Sequence, residues 1–233
     1  MTDIPRNGRK VYDDGQIIAV LTGLEKPSKN VKTGDMLQLW ILVADTDPLT
    51  AQRLGKDELI CGTCPLRGSV CYVTLFQAPR AVWHTYHNQP VEPVPATLRA
   101  PVRLGAYGDP AFLPVALLET LTHGTRHTGY THQWATPNQA NIAEFVMASI
   151  DPLDAFRQGL TTLELKRKAQ ALGYRTFRVL PDKDAPLDSD EILCPNYSHS
   201  VAVQCADCGL CSGAGNAKNI AIPAHGAGAS ALG

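Results

Sequence analysis

Short apolar runs separated by more polar stretches recur along this chain. The clearest run covers positions 36–43, where apolar residues are almost continuous, as in a strand that is covered on both faces. A shorter run at 17–21 predicts an earlier strand. The same reasoning predicts later strands at 102–107, 128–134, 145–149, 175–180 and 219–222.

Helical patterns lie between these runs. Asp151 as N-cap and Pro152 at the first helical position predict one long helix that Gly173 ends, with apolar residues at three- and four-residue steps. Shorter helices are predicted from residue 78, over 114–121 and over 138–144. Alternating strands and helices predict an α/β fold with a parallel sheet. The pattern alone leaves open a partial barrel and an open doubly wound sheet.

The chain length favours one domain. Its 233 residues are enough for one sizeable core and few for two. We divide it into an N-terminal extension with a short strand (1–35) and an α/β unit with all the cysteines (36–225). The Gly/Ala-rich end, 226–233, is predicted to be a flexible tail.

Charge and hydropathy exclude several function classes. The 21 Lys and Arg residues against 22 Asp and Glu give a net charge of −1, which argues against bulk electrostatic binding to nucleic acid or an anionic membrane. No apolar run reaches the roughly 18 residues of a membrane span, and residues 1–10 lack the apolar core of a signal peptide. We expect a cytoplasmic location, with a small-molecule ligand or an electron donor as partner.

Seven cysteines fall into two groups, separated by residues 72–193. An odd count, the lack of an export signal and Cys-x-x-Cys spacing favour reduced thiols that bind metal over disulfides. The first group is Cys61, Cys64 and Cys71, and the second is Cys194, Cys205, Cys208 and Cys211.

The spacing of the second group is typical of a [4Fe–4S] site, with Cys-x-x-Cys-x-x-Cys and a remote Cys-Pro pair. Four thiolates could equally hold one tetrahedral Zn²⁺. In the first group, zinc would need a histidine, with His84 and His87 nearest in sequence. An iron–sulfur cluster there could leave one iron open or recruit a residue from elsewhere, so one cluster and two clusters both remain open.

Placement adds a further expectation. The first group follows the strand at 36–43 and the second follows the strand at 175–180. Because the carboxyl ends of parallel strands share one edge of the sheet, we expect both groups at that edge, where ligands bind.

Two more segments contain candidate site residues. Three of the seven histidines lie within 123–132, and a polar strand there would line a cavity with His127, Tyr130 and His132. A polar surface loop is the alternative interpretation. Gly108 and Asp109 directly follow the strand at 102–107 and are a further candidate pair, although an Asp-Pro pair could simply begin a helix.

The order of these features resembles the radical S-adenosylmethionine (SAM) superfamily. The resemblance implies a partial (β/α)6 TIM-like barrel with cysteine-rich loops, in which the first group binds a [4Fe–4S] cluster whose open iron chelates SAM. It also implies that Gly108 and Asp109 contact the SAM amino group and that segment 194–211 holds an auxiliary cluster. The first group reads Cys-x2-Cys-x6-Cys, whereas the superfamily usually has Cys-x3-Cys-x2-Cys.

The chain is also similar to uncharacterised cysteine-rich bacteriophage proteins, which implies a host-cytoplasm location. Segments 30–35, 105–110, 123–132 and 175–178 carry that similarity. Three hypotheses follow: an iron–sulfur protein with SAM-dependent radical chemistry, a non-catalytic iron–sulfur protein for electron transfer, redox sensing or structure, and a zinc-stabilised interaction module.

Overall fold

The computed structural model describes residues 7–68, 70–137, 139–197, 203–213, 215 and 217–224. The predicted tail at 226–233 lies outside these residues. The strands are β1 (Gly8–Asp13), β2 (Ile17–Thr22), β3 (Leu37–Val43), β4 (Val102–Tyr107), β5 (His127–Thr131), β6 (Met147–Ile150), β7 (Thr176–Leu180), β8 (Glu191–Leu193) and β9 (Asn219–Pro223). The α-helices are α1 (Pro48–Leu54), α2 (Glu58–Cys61), α3 (Ala78–Tyr86), α4 (Val115–Thr122), α5 (Pro152–Arg157), α6 (Thr162–Ala171) and α7 (Cys205–Cys208).

All nine of these strands form one sheet in the order β1-β2-β3-β4-β5-β6-β7-β9-β8. The first three pair antiparallel, and every pair from β3 onward is parallel. The sheet does not close, since β1 and β8 are its two edges. The predicted α/β class with a mostly parallel sheet is therefore confirmed. No helix in the described part of the chain is long and apolar enough to cross a membrane.

The core is built on β2 and β3. Six of the seven side chains of β3 are buried, as its continuous apolar run predicts, because helices cover one face and β2 extends the sheet beside it. β4 adds Val102 and Leu104, and β6 is buried throughout. Because the centre of the sheet is tightly packed with apolar side chains, polar side chains for a functional site are expected at the ends of the strands.

The prediction of one long helix after Asp151 is wrong in one respect. Asp151 does cap a helix, accepting from the Asp154 amide at 2.9 Å, but that helix ends at Arg157. Gly159 then adopts φ +64°, and Thr161 begins a second helix through a capping box with Glu164. A glycine and a Thr-x-x-Glu motif thus break an otherwise helical apolar period.

Other boundaries also differ. No helix forms over the described residues of 138–144, and the strand expected at 128–134 ends at Thr131 because the chain turns at His132. β1 and β8 were not predicted, since β1 carries Arg9, Lys10 and Asp13 among its six residues and β8 has only three residues. The N-terminal extension therefore contributes two strands, and they continue the main sheet.

A buried ionic network fastens α6 to the last strands. The Lys166 side chain is only 1 % exposed, and its Nζ lies 2.9 Å from Asp188 and 3.4 Å from Glu191, with Asp190 also in contact. Glu191 is fully buried and also accepts from Arg178 of β7, at 2.5 Å and 2.8 Å. The network thus joins a helix, a central strand and an edge strand.

This network predicts a loss of stability in acid. Hydrogen bonding to Lys166 lowers the pKa of Asp188. Burial alone would raise the pKa of Asp190 and Glu191, but their hydrogen bonds and nearby cations outweigh it, so both pKa values are also lowered. Since all three folded-state pKa values lie below the unfolded ones, the stabilisation is complete above about pH 5 and is lost as pH falls through the folded values. We expect the melting temperature to fall steadily below about pH 4. A Lys166→Met variant that showed the same acid dependence as the wild type would contradict this assignment.

Candidate functional site at the two cysteine groups

All seven cysteines are free thiols in the structure. Cys211 is buried and the other six are partly buried. Within each group the thiols are close enough that their charges act on one another: Cys64 and Cys71 raise the pKa of Cys61, and Cys194, Cys205 and Cys208 raise that of Cys211. The sequence grouping is therefore also a grouping in space.

The first group lies at the carboxyl end of the central strands. α2 ends at Cys61, and Gly62 follows with φ +50°. One residue earlier, the Ile60 carbonyl accepts from the Asp109 amide at 2.7 Å, just beyond the end of β4. This bond fixes the start of the cysteine loop against the end of a strand.

Gln133 anchors the same loop to β5. Its Nε2 donates to the Cys61 carbonyl at 3.0 Å, and its Oε1 accepts from the Thr63 hydroxyl at 3.1 Å and the Thr136 hydroxyl at 2.9 Å. The residue is only 2 % exposed. A Cβ at position 62 would lie 2.5 Å from this Oε1, so glycine is required where the loop passes the amide.

A thiol, an imidazole and a carboxylate lie in a row at this edge. The Sγ of Cys64 is 3.5 Å from Nδ1 of His132, and Nε2 of His132 is 3.2 Å from Oδ2 of Asp151. Asp151 is fully buried, and in the described structure neither Nε2 nor Oδ2 makes a hydrogen bond of good geometry, so the 3.2 Å contact joins two polar atoms that are otherwise unsatisfied. The two atoms are thus reserved for each other, and Asp151 orients the imidazole so that Nδ1 faces the cysteines.

The electrostatics of this edge follow from burial and from these contacts. Burial raises the pKa of Cys61 strongly, with its neighbouring thiols adding to the effect. Burial alone would lower the pKa of His132, but Cys64 and Asp151 outweigh it and raise that pKa well above its usual value. Buried thiols of this kind ionise readily only when a metal ion or another cation replaces the lost solvation.

The second group has a different position from the one expected. The amides of Cys205 and Ala206 donate to the carbonyls of Lys32 and Thr33, which precede β3. The Arg126 guanidinium, just before β5, donates to the Asp207 carbonyl at 3.0 Å. Residues 205–208 therefore lie at the amino ends of β3 and β5, and the expectation that both groups share the carboxyl edge is wrong for Cys205 and Cys208. Only Cys194, which follows β8, lies beyond the carboxyl end of its strand.

Cys211 inserts beside β5. Its carbonyl accepts from the Gly129 amide at 3.0 Å, and its thiol bonds to the Tyr130 hydroxyl. Met147 and Ile220 pack against it. Burial raises the pKa of Cys211 to about 12. The Tyr130 hydroxyl opposes this rise, and the other thiols of the group add to it.

A cavity of about 430 Å³ lies between the two groups. Alternate residues of neighbouring parallel strands face it, because side chains on one face of a strand recur every second position. The cysteines of the second group form part of its wall, together with Tyr72 just after Cys71. The strand residues that line it are Arg103, Thr128, Tyr130, Ser149, Phe177, Val179, Ile220, Ile222 and Pro223, and His132 lines it from just after β5.

Two of the three residues predicted to line this cavity do so, and the third does not. Tyr130 and His132 do line it. His127 is an odd number of positions away, so it faces the other side of β5, where its Nε2 lies 2.8 Å from the Ser212 carbonyl. Strand alternation, applied to the sequence, would have separated these residues in advance.

The carboxylate of Asp109 is fully engaged within the protein. Oδ1 accepts from the Ala111 amide at 3.0 Å, capping a short 3₁₀ turn, and Oδ2 accepts from the His132 amide at 2.8 Å. Gly108 has φ +80° and presses on Ile41 of β3, where a Cβ would meet a carbonyl oxygen at 2.6 Å. The pair thus shapes the junction of three strands, in agreement with the helix-start interpretation.

Neither histidine proposed from proximity in sequence reaches the first group. His87 stacks on Trp83 with ring centroids 3.9 Å apart, and its Nδ1 contacts the Trp83 carbonyl. His84 is exposed on the same helix. Of the histidines described, it is His132, distant in sequence, that contacts a cysteine of this group.

Among the described residues, no three His, Cys, Asp or Glu side chains already form the coordination shell of one metal ion. A cubane cluster holds its ligating sulfurs further apart than a single ion does, because the inorganic core lies between them. The present spacing of the thiols therefore does not count against a cluster.

Sequence reasoning missed Gln133, Asp151 and Arg103 as site residues. Asp151 was recognised only as a helix cap, although it directly follows a buried strand at the same edge as His132. No protein-family model, no curated protein and no solved structure shows significant similarity to this chain.

Proposed function

We propose that the chain is an iron–sulfur protein that holds a metal–sulfur centre, most simply a [4Fe–4S] cluster, at each cysteine group. One observation carries the proposal: two cysteine groups from distant segments meet side chains only two positions apart at the end of β5. Cys211 contacts Tyr130 within the strand, and Cys64 contacts His132 just after the strand ends.

The first group fits such a centre in its donors and its support. Cys61, Cys64 and Cys71 would supply three thiolates, and His132 stands at Cys64 with Asp151 behind it. Hydrogen bonds to ligating sulfurs and the groups that orient them adjust the reduction potential of iron–sulfur sites. The bond from Gln133 to the Cys61 carbonyl holds the loop for this role.

The second group offers four thiols at the cavity wall. Cys205 and Cys208 begin and end the single turn of α7, and Gly209 follows in the left-handed conformation, which returns the chain toward Cys211. Cys194 joins them from the end of β8. This donor set matches a Cys₄ cluster.

Electron transfer or redox sensing is the activity that this arrangement supports best. The resemblance to the radical SAM superfamily would add SAM cleavage on a partial barrel, and the sequential order of the parallel strands from β3 to β7 is compatible with that architecture. The SAM amino group would need Asp109, however, and both carboxylate oxygens of Asp109 already accept protein hydrogen bonds. We therefore place a non-catalytic role first.

A zinc-stabilised module is the second candidate, and one distance favours it. Bond lengths of about 2.3 Å to sulfur and about 2.0 Å to nitrogen at a tetrahedral ion put the two donors about 3.5 Å apart. The separation of Cys64 Sγ from His132 Nδ1 is 3.5 Å. A Cys₃His zinc site at the first group would use this pair.

Anaerobic purification followed by iron, sulfide and zinc analysis tests the proposal. We expect brown protein with iron and acid-labile sulfide in similar amounts, enough for two clusters, and no spectral change of the reduced protein on adding SAM. Colourless protein with stoichiometric zinc would replace iron–sulfur binding with the zinc module. Formation of 5′-deoxyadenosine from SAM would establish the enzyme instead.

A further inference from the structure

The cavity between the cysteine groups carries positive charge and no carboxylate among its described lining residues. Arg103 extends into it from the amino end of β4, and Lys32 also lines it. Its other polar lining groups in the described structure are hydroxyls, amides, one imidazole and thiols.

Among the described residues, Arg103 lacks the carboxylate partner that Arg178 and Arg99 have. Arg178 makes two bonds to the Glu191 carboxylate, and Arg99 makes two to Asp35, at 2.6 Å and 2.7 Å. The Arg103 guanidinium instead donates to the neutral Tyr72 hydroxyl, at 3.0 Å, and no described carboxylate pairs with it. A guanidinium presents several donors in a fixed fork, so most of its capacity faces the cavity.

The remainder of the cavity wall is apolar and aromatic. The rings of Tyr130 and Phe177 lie 4.4 Å apart, and Val179 and Ile222 extend the same surface. A volume of about 430 Å³ is within the range of sites for small organic ligands. Such sites combine an apolar wall with a few polar groups that fix orientation.

We propose that this cavity binds a small organic anion, a carboxylate, sulfonate or phosphate ester with an apolar or aromatic body. Arg103 pairs with the acidic group, and the surface formed by Tyr130, Phe177, Val179 and Ile222 receives the body. The proposal goes beyond metal binding, and it concerns the protein with its metal bound, because the second cysteine group forms part of the cavity wall.

A competing role for Arg103 follows from its neighbourhood. Burial raises the pKa of Cys205, and the charge of Arg103 opposes that rise, so the guanidinium is close to the second cysteine group. It could therefore balance the negative charge of metal-bound thiolates and leave no capacity for a ligand. The two roles differ in what the removal of the charge would change: ligand affinity in one case, metal content in the other.

Two probes that share one aromatic body separate these roles. 8-Anilinonaphthalene-1-sulfonate carries an anion, and N-phenyl-1-naphthylamine lacks it. Binding of each to the anaerobically purified full chain is measured by calorimetry, for the wild type and for Arg103→Met. We expect Arg103→Met to weaken the sulfonate about tenfold or more and to leave the neutral probe unchanged, because a hydrogen-bonded charge pair is lost only for the sulfonate.

Arg53→Met is the matched control, since Arg53 is exposed on α1, away from the cavity lining, and its loss changes net charge equally. Unchanged binding of the neutral probe shows that Arg103→Met keeps the cavity folded. Three results would overturn the proposal: no sulfonate binding to the wild type, equal sulfonate affinity in Arg103→Met, or a loss of iron in Arg103→Met with sulfonate affinity retained. The last result would assign Arg103 to the second cysteine group.

Discussion

Lys166→Met should lower the free energy of unfolding by about 2–4 kcal/mol, one of the largest effects expected outside the cysteines. The substitution leaves Glu191, which is fully buried, with Arg178 as its remaining cation, and it removes the contacts with Asp188 and Asp190. Breaking a buried ion pair on one side is costly because the other charge stays desolvated. We reduce the usual cost because Asp188 and Asp190 are partly exposed.

Thermal denaturation measures this effect directly, as a fall in melting temperature of about 4–16 °C for a chain of this size. Lys168→Met is the matched control, two positions along the same helix and exposed. It should change the melting temperature by only about 1–2 °C. Equal effects of the two substitutions would show that the network contributes no more than an ordinary surface charge.

Gln133→Met should affect both stability and the first cysteine group. The side chain is buried and makes hydrogen bonds to Cys61, Thr63 and Thr136, and an apolar replacement removes all three. We expect a loss of about 2–3 kcal/mol in the free energy of unfolding. Metal affinity of the first group should fall about 10–100-fold, as for other residues that orient metal ligands.

Chemical denaturation and metal titration with a competing chelator measure the two effects separately. Gln158→Met is the control, because Gln158 is exposed and its side chain bonds only to Asp154 in the described structure. A Gln133→Met protein that lost stability but retained its metal affinity would limit Gln133 to packing. An unchanged protein would remove its role in the loop altogether.

The sheet was predictable where burial alone decides the pattern. β3, β4 and β7 lie close to their expected positions because continuous or alternating apolar residues mark strands inside a covered sheet. β8 has three residues and is held by Glu191, whose buried ion pairs have no signature in hydropathy. Gly159 and Thr161 mark the break between α5 and α6 in the sequence. Apolar residues recur at helical spacing across this break, however, and that pattern favoured one continuous helix.

The candidate site was predictable in composition and only partly in arrangement. Cysteine spacing alone identified both groups, because neighbouring ligands on one loop must be close in sequence. The contact of Cys64 with His132 joins residues 68 positions apart and depends on β5 following β4 in the sheet. The position of segment 205–211 depends on bonds to residues 32 and 33, which no local rule predicts.

The short pairing of β5 with β6 has a consequence for how the molecule is assembled. Only Tyr130 and Thr131 have β6 partners, and the Gly129 amide is instead satisfied by Cys211. The sheet is thus two halves with a narrow seam, and the second cysteine group fills part of that seam. During synthesis, the contacts across the seam can be completed only after residue 211 has been added to the chain. A metal bound at Cys211 would therefore stabilise the contact between the two halves of the sheet, in addition to serving as a cofactor.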